Sequence, residues 1–105
     1  MMYDNVVVVS GRVGAFPSHK YKLGELDFSH FPFYVTYIDS LHKKALDGTK
    51  IHIFLTRKLA EEYYCKITTG QNLRIEGTLS KKPFIDDYGI SRVSEVIYAD
   101  FITEK

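Results

Sequence analysis

The sequence predicts an all-β domain with one short helix, in which five strands close into a small Greek-key barrel. Three observations support this prediction. Short apolar runs recur with a period of two along the chain, as in strands with one buried face. One segment, residues 57–67, instead has an apolar stripe at spacings of three and four, which is typical of a helix: Leu59, Ala60, Tyr63, Tyr64 and Ile67. Gly77 lies inside the strand that follows, where a glycine indicates a bulge that lets a small sheet curl.

The first third of the chain predicts two strands and a connection. Val6–Val9 has four consecutive β-branched residues, which are typical of a buried or doubly covered strand. The polar segment Ser18–His30 is expected to be a long hairpin connection. Phe31–Ile38 alternates and forms the second strand. Phe33, Val35 and Tyr37 are predicted to share one face of this strand, and Tyr34, Thr36 and Ile38 are predicted to share the other.

The middle of the chain predicts a strand, a helix and another strand. Lys50–Leu55 is the third strand, and Arg57–Ile67 is a helix that plugs one end of the barrel and ends near Gly70. Gln71–Leu79 is the fourth strand. In the third strand the predicted core residues are Ile51, Ile53 and Leu55, and the predicted outward residues are Lys50, His52, Phe54 and Thr56.

The last quarter predicts a hairpin and a closing strand. Lys81–Ile90 is expected to be an exposed hairpin tip, because its Asp and Gly residues are typical of turns. Arg92–Ile102 is the fifth strand. Five strands with a helix between the third and fourth is the element order of the oligonucleotide-binding (OB) fold, and a small β-sandwich is the alternative.

Composition restricts the classes of function. A chain of 105 residues is expected to form one domain, residues 1–105. It contains no apolar run of membrane-spanning length and no secretory signal, and its single cysteine, Cys65, fits a reducing cytoplasm. The four histidines and Cys65 lack metal-ligand spacing, and no nucleophile and base are paired. We therefore expect a cytoplasmic protein that is not an enzyme and holds no metal or cofactor.

Several motifs occur in a fixed order. The first strand ends in Gly11-Arg12-Val13-Gly14 followed by Pro17, Lys58-Leu59-Ala60 opens the helix, and Ile75-Glu76-Gly77-Thr78-Leu79 lies in strand four. A spaced set then follows: Phe84, Asp86, Gly89, Arg92, Glu95 and Val96. Together, and over nearly the whole chain, these motifs resemble the bacterial single-stranded DNA-binding protein (SSB) family.

This resemblance implies an OB fold that binds single-stranded DNA during replication, recombination or repair, as a homo-oligomer that is a dimer or a tetramer. Two features depart from the family. The chain has no Trp, the residue that often occupies the stacking positions of the family, but Phe84 keeps an aromatic ring at one of these positions. It also lacks the flexible linker and the acidic tip, so a short tail-less form is expected, similar to primosomal replication protein B or to phage and plasmid versions. Replication or primosome proteins are then candidate partners.

Binding single strands without reading sequence requires aromatic faces for the bases and cations for the phosphates. In an OB barrel the outward faces of strands two and three and the adjoining loops supply both. Phe54 and Tyr34 are predicted to form an aromatic pair there; the alternative places them under Ser18–His30 or in a subunit interface. Lys43 and Lys44 are additional cations. The predicted DNA-binding residues are Arg12, Lys20, Tyr21, Lys22, Tyr34, Lys50, His52, Phe54, Arg57, Lys81, Lys82, Phe84, Tyr88 and Arg92.

A second function stays open from the sequence. The same barrel is able to serve as a primosome-type protein-interaction adaptor, with weak or secondary DNA binding. Fifteen aromatic residues are also more than a small barrel buries, so some are expected to contact a second subunit, with the first strand as the pairing edge.

Overall fold

A computed structural model describes residues 6–38 and 49–104 as six strands and one helix. The helix, α1, spans Arg57–Glu62. The predicted loop at Ser40–Gly48, with Lys43 and Lys44, lies outside the described residues. The strands are β1 (Val6–Val13), β2 (Ser18–Lys22), β3 (Glu25–Ile38), β4 (Lys50–Leu55), β5 (Asn72–Ile85) and β6 (Ser91–Glu104).

Five of the strands form a closed barrel. They are hydrogen-bonded in the order β1-β5-β6-β4-β3, and the pairing of β1 with β3 closes the ring. Every pairing is antiparallel except that of β4 with β6. The predicted five-stranded barrel is therefore confirmed, and β2 is an addition that, among residues 6–38 and 49–104, pairs with the first half of β3 alone.

The barrel interior is filled by alternate residues of each strand. Ile51, Ile53 and Leu55 of β4 are buried, as predicted. In β1, Val7 and Val9 are buried, but Val6 is exposed. The strand is therefore buried on its inner face, as predicted, but it is not doubly covered, because Val6 on the outer face is exposed in the described structure.

Two irregularities bend the strands. The β1–β3 ladder shifts between Ser10 and Gly11, which leaves Thr36 as the extra residue. Beyond this bulge the faces exchange, so that Tyr37 is 58% exposed and Ile38 is buried. Their predicted faces are therefore wrong, whereas the predicted irregularity at Gly77 is confirmed by a shift in the β5–β6 ladder.

The helix is shorter than predicted. It ends at Glu62 rather than Ile67, and turns continue the chain to Gly70, whose φ is +85°. Ala60 and Ile67 are buried in the core cluster and Tyr63 packs against it, but Tyr64 is exposed. Tyr64 was predicted to lie on the apolar stripe, and it does not because the helical period has already ended before it.

Two segments that were predicted to be connections consist largely of paired strands. Ser18–His30 forms a hairpin in which β2 pairs with β3, and it is called here the β2–β3 arm. Lys81 to Ile85 pairs with β6, so the turn of the second hairpin contains only residues 86–90. This second hairpin, Ser80–Glu95, is called the β5–β6 arm. The two arms extend the strands beyond the barrel.

Candidate nucleic-acid interface

The outer face of β3, β4 and β6 lies between the two arms. In the ladders His30 is opposite Phe54, and Phe54 is opposite Tyr98. One step along, His52 lies between Pro32 and Val96. Because alternate residues share a face, the sheet register by itself places a row of rings on the outside of the barrel.

These rings form one aromatic cluster with Phe54 at its centre. The ring centroid of Phe54 lies 5.1 Å from that of His30, which is stacked on it, 5.5 Å from that of Tyr98 and 5.7 Å from that of Phe28. Its position outside the barrel agrees with the prediction, yet Phe54 is only 8% exposed. The ring is therefore the floor of this face.

The predicted pair of Phe54 with Tyr34 is not formed. Tyr34 lies opposite Lys50, four residues along the ladder from the His30–Phe54 pair. The tyrosine is half exposed, and its ring lies against Gly14. Phe54 instead packs against Phe28 and His30. The alternative prediction, that both rings lie under the Ser18–His30 segment, is therefore correct for Phe54 but not for Tyr34.

Two grooves meet over Phe54. The first, of about 310 Å³, has walls of Phe28 and Tyr98 and is called the Asp27 groove after the carboxylate at its side. The second, of about 270 Å³, is lined by the histidines of the cluster and by Phe84, and is called the Phe84 groove. Phe54 and Lys82 line both, and the Lys82 ammonium lies 5.3 Å from the Phe54 ring centroid. A lysine over an aromatic face is attracted by the ring quadrupole.

Among the rings that line the two grooves, those with open faces are on β6 and on the β5–β6 arm. Phe84 is 45% exposed and Tyr98 36% exposed, and each lines one of the two grooves. The prediction singled out Phe84 but not Tyr98. Regular alternation from Val96 would have identified Tyr98, and extension of the second strand backwards from Phe31 would have identified Phe28 and His30.

The pKa values of both histidines on this face are lowered. Burial, the neighbouring His52 and the charges of Lys20 and Lys82 lower the pKa of His30 below its ordinary value. Burial and Lys50 lower the pKa of His52. The Nδ1 atom of His30 is buried without a hydrogen-bond partner among the described residues. Lys20, Lys50 and Lys82 therefore lie close enough to this face to act on it electrostatically.

Two of the predicted cations are already paired. Arg57 forms ion pairs with Glu25 and, at 3.6 Å, with Glu61, and Glu25 above all raises the pKa of the guanidinium. Arg92 Nε donates to Asp86 Oδ2 at 2.5 Å. The paired carboxylates offset the charge that either arginine would offer to a phosphate.

Asp86 organises the turn of the β5–β6 arm. Its Oδ1 accepts the backbone N–H groups of Tyr88 and Ile90 at 2.9 Å. Arg92 first, and then these backbone donors, lower the pKa of the Asp86 carboxyl. The turn brings Tyr88 to the exposed tip of the arm.

The predicted group Lys20-Tyr21-Lys22 is divided between two faces. Lys20 lies opposite Phe28, on the groove side of the β2–β3 arm. The Tyr21 hydroxyl lies 3.4 Å from the Tyr64 hydroxyl, next to α1, and the His19 ring packs on Tyr64 with centroids 4.5 Å apart. The remaining predicted cations lie at the periphery: Lys22 is opposite Glu25, Lys81 opposite Glu95 and Arg12 opposite Tyr34.

No group of three or more His, Cys, Asp or Glu residues in 6–38 and 49–104 is placed to hold a metal ion. None of the helices that the structure describes has the length and apolar character needed to cross a membrane.

Two solved structures share this architecture. The small single-stranded DNA-binding protein from Streptomyces coelicolor superposes with a TM-score of 0.73 and 17% sequence identity, over 97% of this chain and 95% of that one. The Plasmodium falciparum SSB in complex with ssDNA gives a TM-score of 0.69 and 14% identity, over 96% and 94%. The sequence matches no protein-family model and no curated protein. The likeness confirms the OB fold.

Proposed function

We propose that this chain binds single-stranded DNA without general sequence preference, by stacking bases on exposed rings and contacting phosphates with lysines. The observation that carries the proposal is the face between the two arms. There an aromatic cluster forms the floor of two adjoining grooves, and Lys20, Lys50 and Lys82 surround it. Rings and cations on one groove are what single-strand binding requires.

The roles within the face follow from exposure. Phe84, Tyr98 and Tyr34 present open ring surface for stacking. Phe54 is covered, so it supports the other rings and offers its own face only when Lys82 moves away. Lys22, Lys81, Arg12 and Tyr88 lie at the edges, where they extend the path of a longer strand.

The proposal includes self-association. Val9 to Arg12 is paired on both sides, but Val6 to Val8 is paired with β5 alone among the described residues. Exposed apolar side chains lie on this side of the barrel, with Val6 at 40% and Phe101 at 65% exposure. A second copy that pairs at this edge would cover them, giving a dimer or a tetramer.

The cellular context is proposed from the chemistry. Replication, recombination and repair all expose single strands that need protection from pairing and cleavage. An unpaired Cys65 is consistent with a cytoplasmic location for this activity. One observation favours the adaptor function instead: Ile85 and Val93 are exposed on the β5–β6 arm, where a partner protein would find an apolar contact.

The test is a fluorescence-anisotropy titration of a labelled oligo-dT of about 35 nucleotides, long enough for several OB sites. Duplex DNA of the same length is the control, and each titration is run at low and moderate salt. Tight binding to the single strand alone, weakened by salt, supports the proposal. Absence of binding at low salt refutes it and leaves the adaptor function.

The stacking assignment has its own variant. Phe84→Ala should weaken binding by about 1–3 kcal/mol, the contribution of one stacked base. Phe16→Ala is the matched control, since Phe16 is also exposed but lies outside both grooves. Equal losses in the two variants would contradict the assignment.

A further inference from the structure

The β2–β3 arm contains a bulge that brings a carboxylate to the DNA-binding face. Lys20 lies opposite Phe28, but Tyr21 lies opposite Leu26, so Asp27 is an extra residue in β3. Leu26 packs against the core, whereas Asp27 lines the groove beside Phe28. Without the bulge, strict alternation would turn Asp27 inward with Ser29. Bulges commonly re-aim a side chain in this way next to functional sites.

A carboxylate is an unexpected group on a surface that binds a polyanion. Asp27 is the one acidic residue that lines either groove over Phe54 in the described structure. Its carboxylate makes no ion pair or hydrogen bond with residues 6–38 or 49–104. It therefore neither neutralises a neighbouring lysine nor holds the arm together, and its oxygens are free to accept from a ligand.

The surroundings of Asp27 fit a nucleobase. Phe28, Phe54 and Tyr98 give the groove three aromatic walls, and its volume is about 310 Å³. Thr56 also lines it; this residue precedes α1, yet its hydroxyl makes no capping hydrogen bond to the helix. The groove thus combines ring faces, the acceptor oxygens of Asp27 and the Thr56 hydroxyl with the cationic side chains of Arg57 and Lys82.

We propose that the Asp27 groove is a base-selective subsite that prefers guanine, an inference that rests on the proposed binding of single-stranded DNA. A carboxylate has two acceptor oxygens and no donor. The Watson–Crick edge of guanine offers two adjacent donors, N1–H and N2–H, which match the two oxygens. Thymine offers one donor between two carbonyl oxygens, and cytosine and adenine offer one amino group next to an acceptor. Only guanine satisfies both oxygens without repulsion.

The experiment uses a series of labelled dT octamers, each with one dG at a different position, and a second series with deoxyinosine there instead. Inosine lacks only the 2-amino group of guanine. At one position dG should bind at least about fivefold more tightly than dT, the lower limit for a bidentate base contact. Inosine should lose most of this gain, because one of the two hydrogen bonds is removed.

Two variants separate the base contact from other effects. Asp27→Asn keeps the shape but replaces one acceptor with a donor, so it should abolish the preference of dG over dT. Asp100→Asn removes the same charge from an exposed residue outside both grooves and should keep the preference. Circular dichroism checks that each variant is folded.

The outcomes distinguish this inference from the proposed function. Binding of every octamer with equal affinity overturns the guanine subsite and leaves single-strand binding intact. A dG preference that survives in Asp27→Asn also overturns it, because the preference would then arise from stacking. If no octamer and no longer oligo-dT binds, the proposed function itself fails.

Discussion

Lys82 is the groove cation whose removal has the most specific expected effect. Its ammonium lies 5.3 Å from the Phe54 ring centroid and it lines both grooves. Lys82→Met keeps most of the side-chain length but removes the charge. If Lys82 contacts one phosphate, the slope of log K against log salt concentration should become shallower by about 0.7, the value for one single-strand contact.

This slope has a direct consequence for affinity. Over a tenfold range of salt concentration, wild type should lose about fivefold more affinity than Lys82→Met. The variant should also lose about 0.5–1 kcal/mol of stability, since an exposed lysine over a ring contributes this much. The pKa of His30 should rise towards its ordinary value, because Lys82 is one of the charges that lower it.

The assay is anisotropy titration of oligo-dT at five or more salt concentrations, with Arg57→Met as the control. Arg57 lines the Asp27 groove too, but its guanidinium is bound by Glu25 and Glu61. Its removal should change the slope less than removal of Lys82 does. An unchanged slope in Lys82→Met, or a larger change in Arg57→Met, would refute the assignment of Lys82 as a phosphate contact.

Three further predictions concern stability. Because the pKa values of His30 and His52 are lowered in the folded protein, the unfolded chain binds more protons below about pH 6.5. The Tm should therefore fall on acidification from pH 7.5 to 5.5, and it should fall less in His30→Asn. Equal falls in the wild type and in His30→Asn would exclude His30 as a cause. Gly77→Ala places a Cβ 2.3 Å from the Tyr98 carbonyl oxygen and should cost up to about 3 kcal/mol in urea denaturation. Gly24→Ala meets no atom within 4 Å and should cost only the strain of its positive φ, so an equal or larger loss in Gly24→Ala would contradict the clash at Gly77. Asp86→Ala removes the acceptor of two turn N–H groups and should speed proteolysis at residues 86–90 without lowering Tm appreciably; an unchanged cleavage rate would contradict the role of Asp86.

The barrel was predictable because its core obeys strict alternation. Ile51, Ile53 and Leu55 are apolar in a period of two, and a regular strand without bulges turns such residues to the same side. Gly77 was identifiable for a similar reason, since a glycine inside an apolar strand commonly marks a bulge or a close approach of backbone. Both signals are local, and tertiary structure did not override them.

The arms were not predictable from polarity. Ser18–His30 is as polar as a loop, because only one of its faces meets the protein and its strands extend beyond the barrel core. Bulges cause the other errors. Alternation gives the correct face only until an extra residue is inserted, so Tyr37 and Ile38 exchange faces after Thr36.

The orientation of strand three was predictable from the sequence, but the neighbours of its outward residues were not. Strand three was expected to present Phe54 outward, and it does; its neighbours depend on ladder register, which a single sequence does not specify. The sequence therefore did not predict that Phe54 pairs with His30 rather than with Tyr34. The sequence also did not predict the ion pairs of Arg57 and Arg92, because Glu25 lies in a different element from Arg57 and Asp86 lies across a turn from Arg92.

The parallel pairing of β4 with β6 has a consequence for how the molecule forms. β6 pairs with both β4 and β5, yet it begins about 40 residues after the start of β4. During synthesis, β1 to β4 emerge from the ribosome before the strand that completes the ring exists. Until residues 91–104 follow, Ile51 and Ile53 have no closed interior to enter. We therefore expect slow, late barrel closure governed by long-range contacts, and a nascent chain that needs chaperone protection until then.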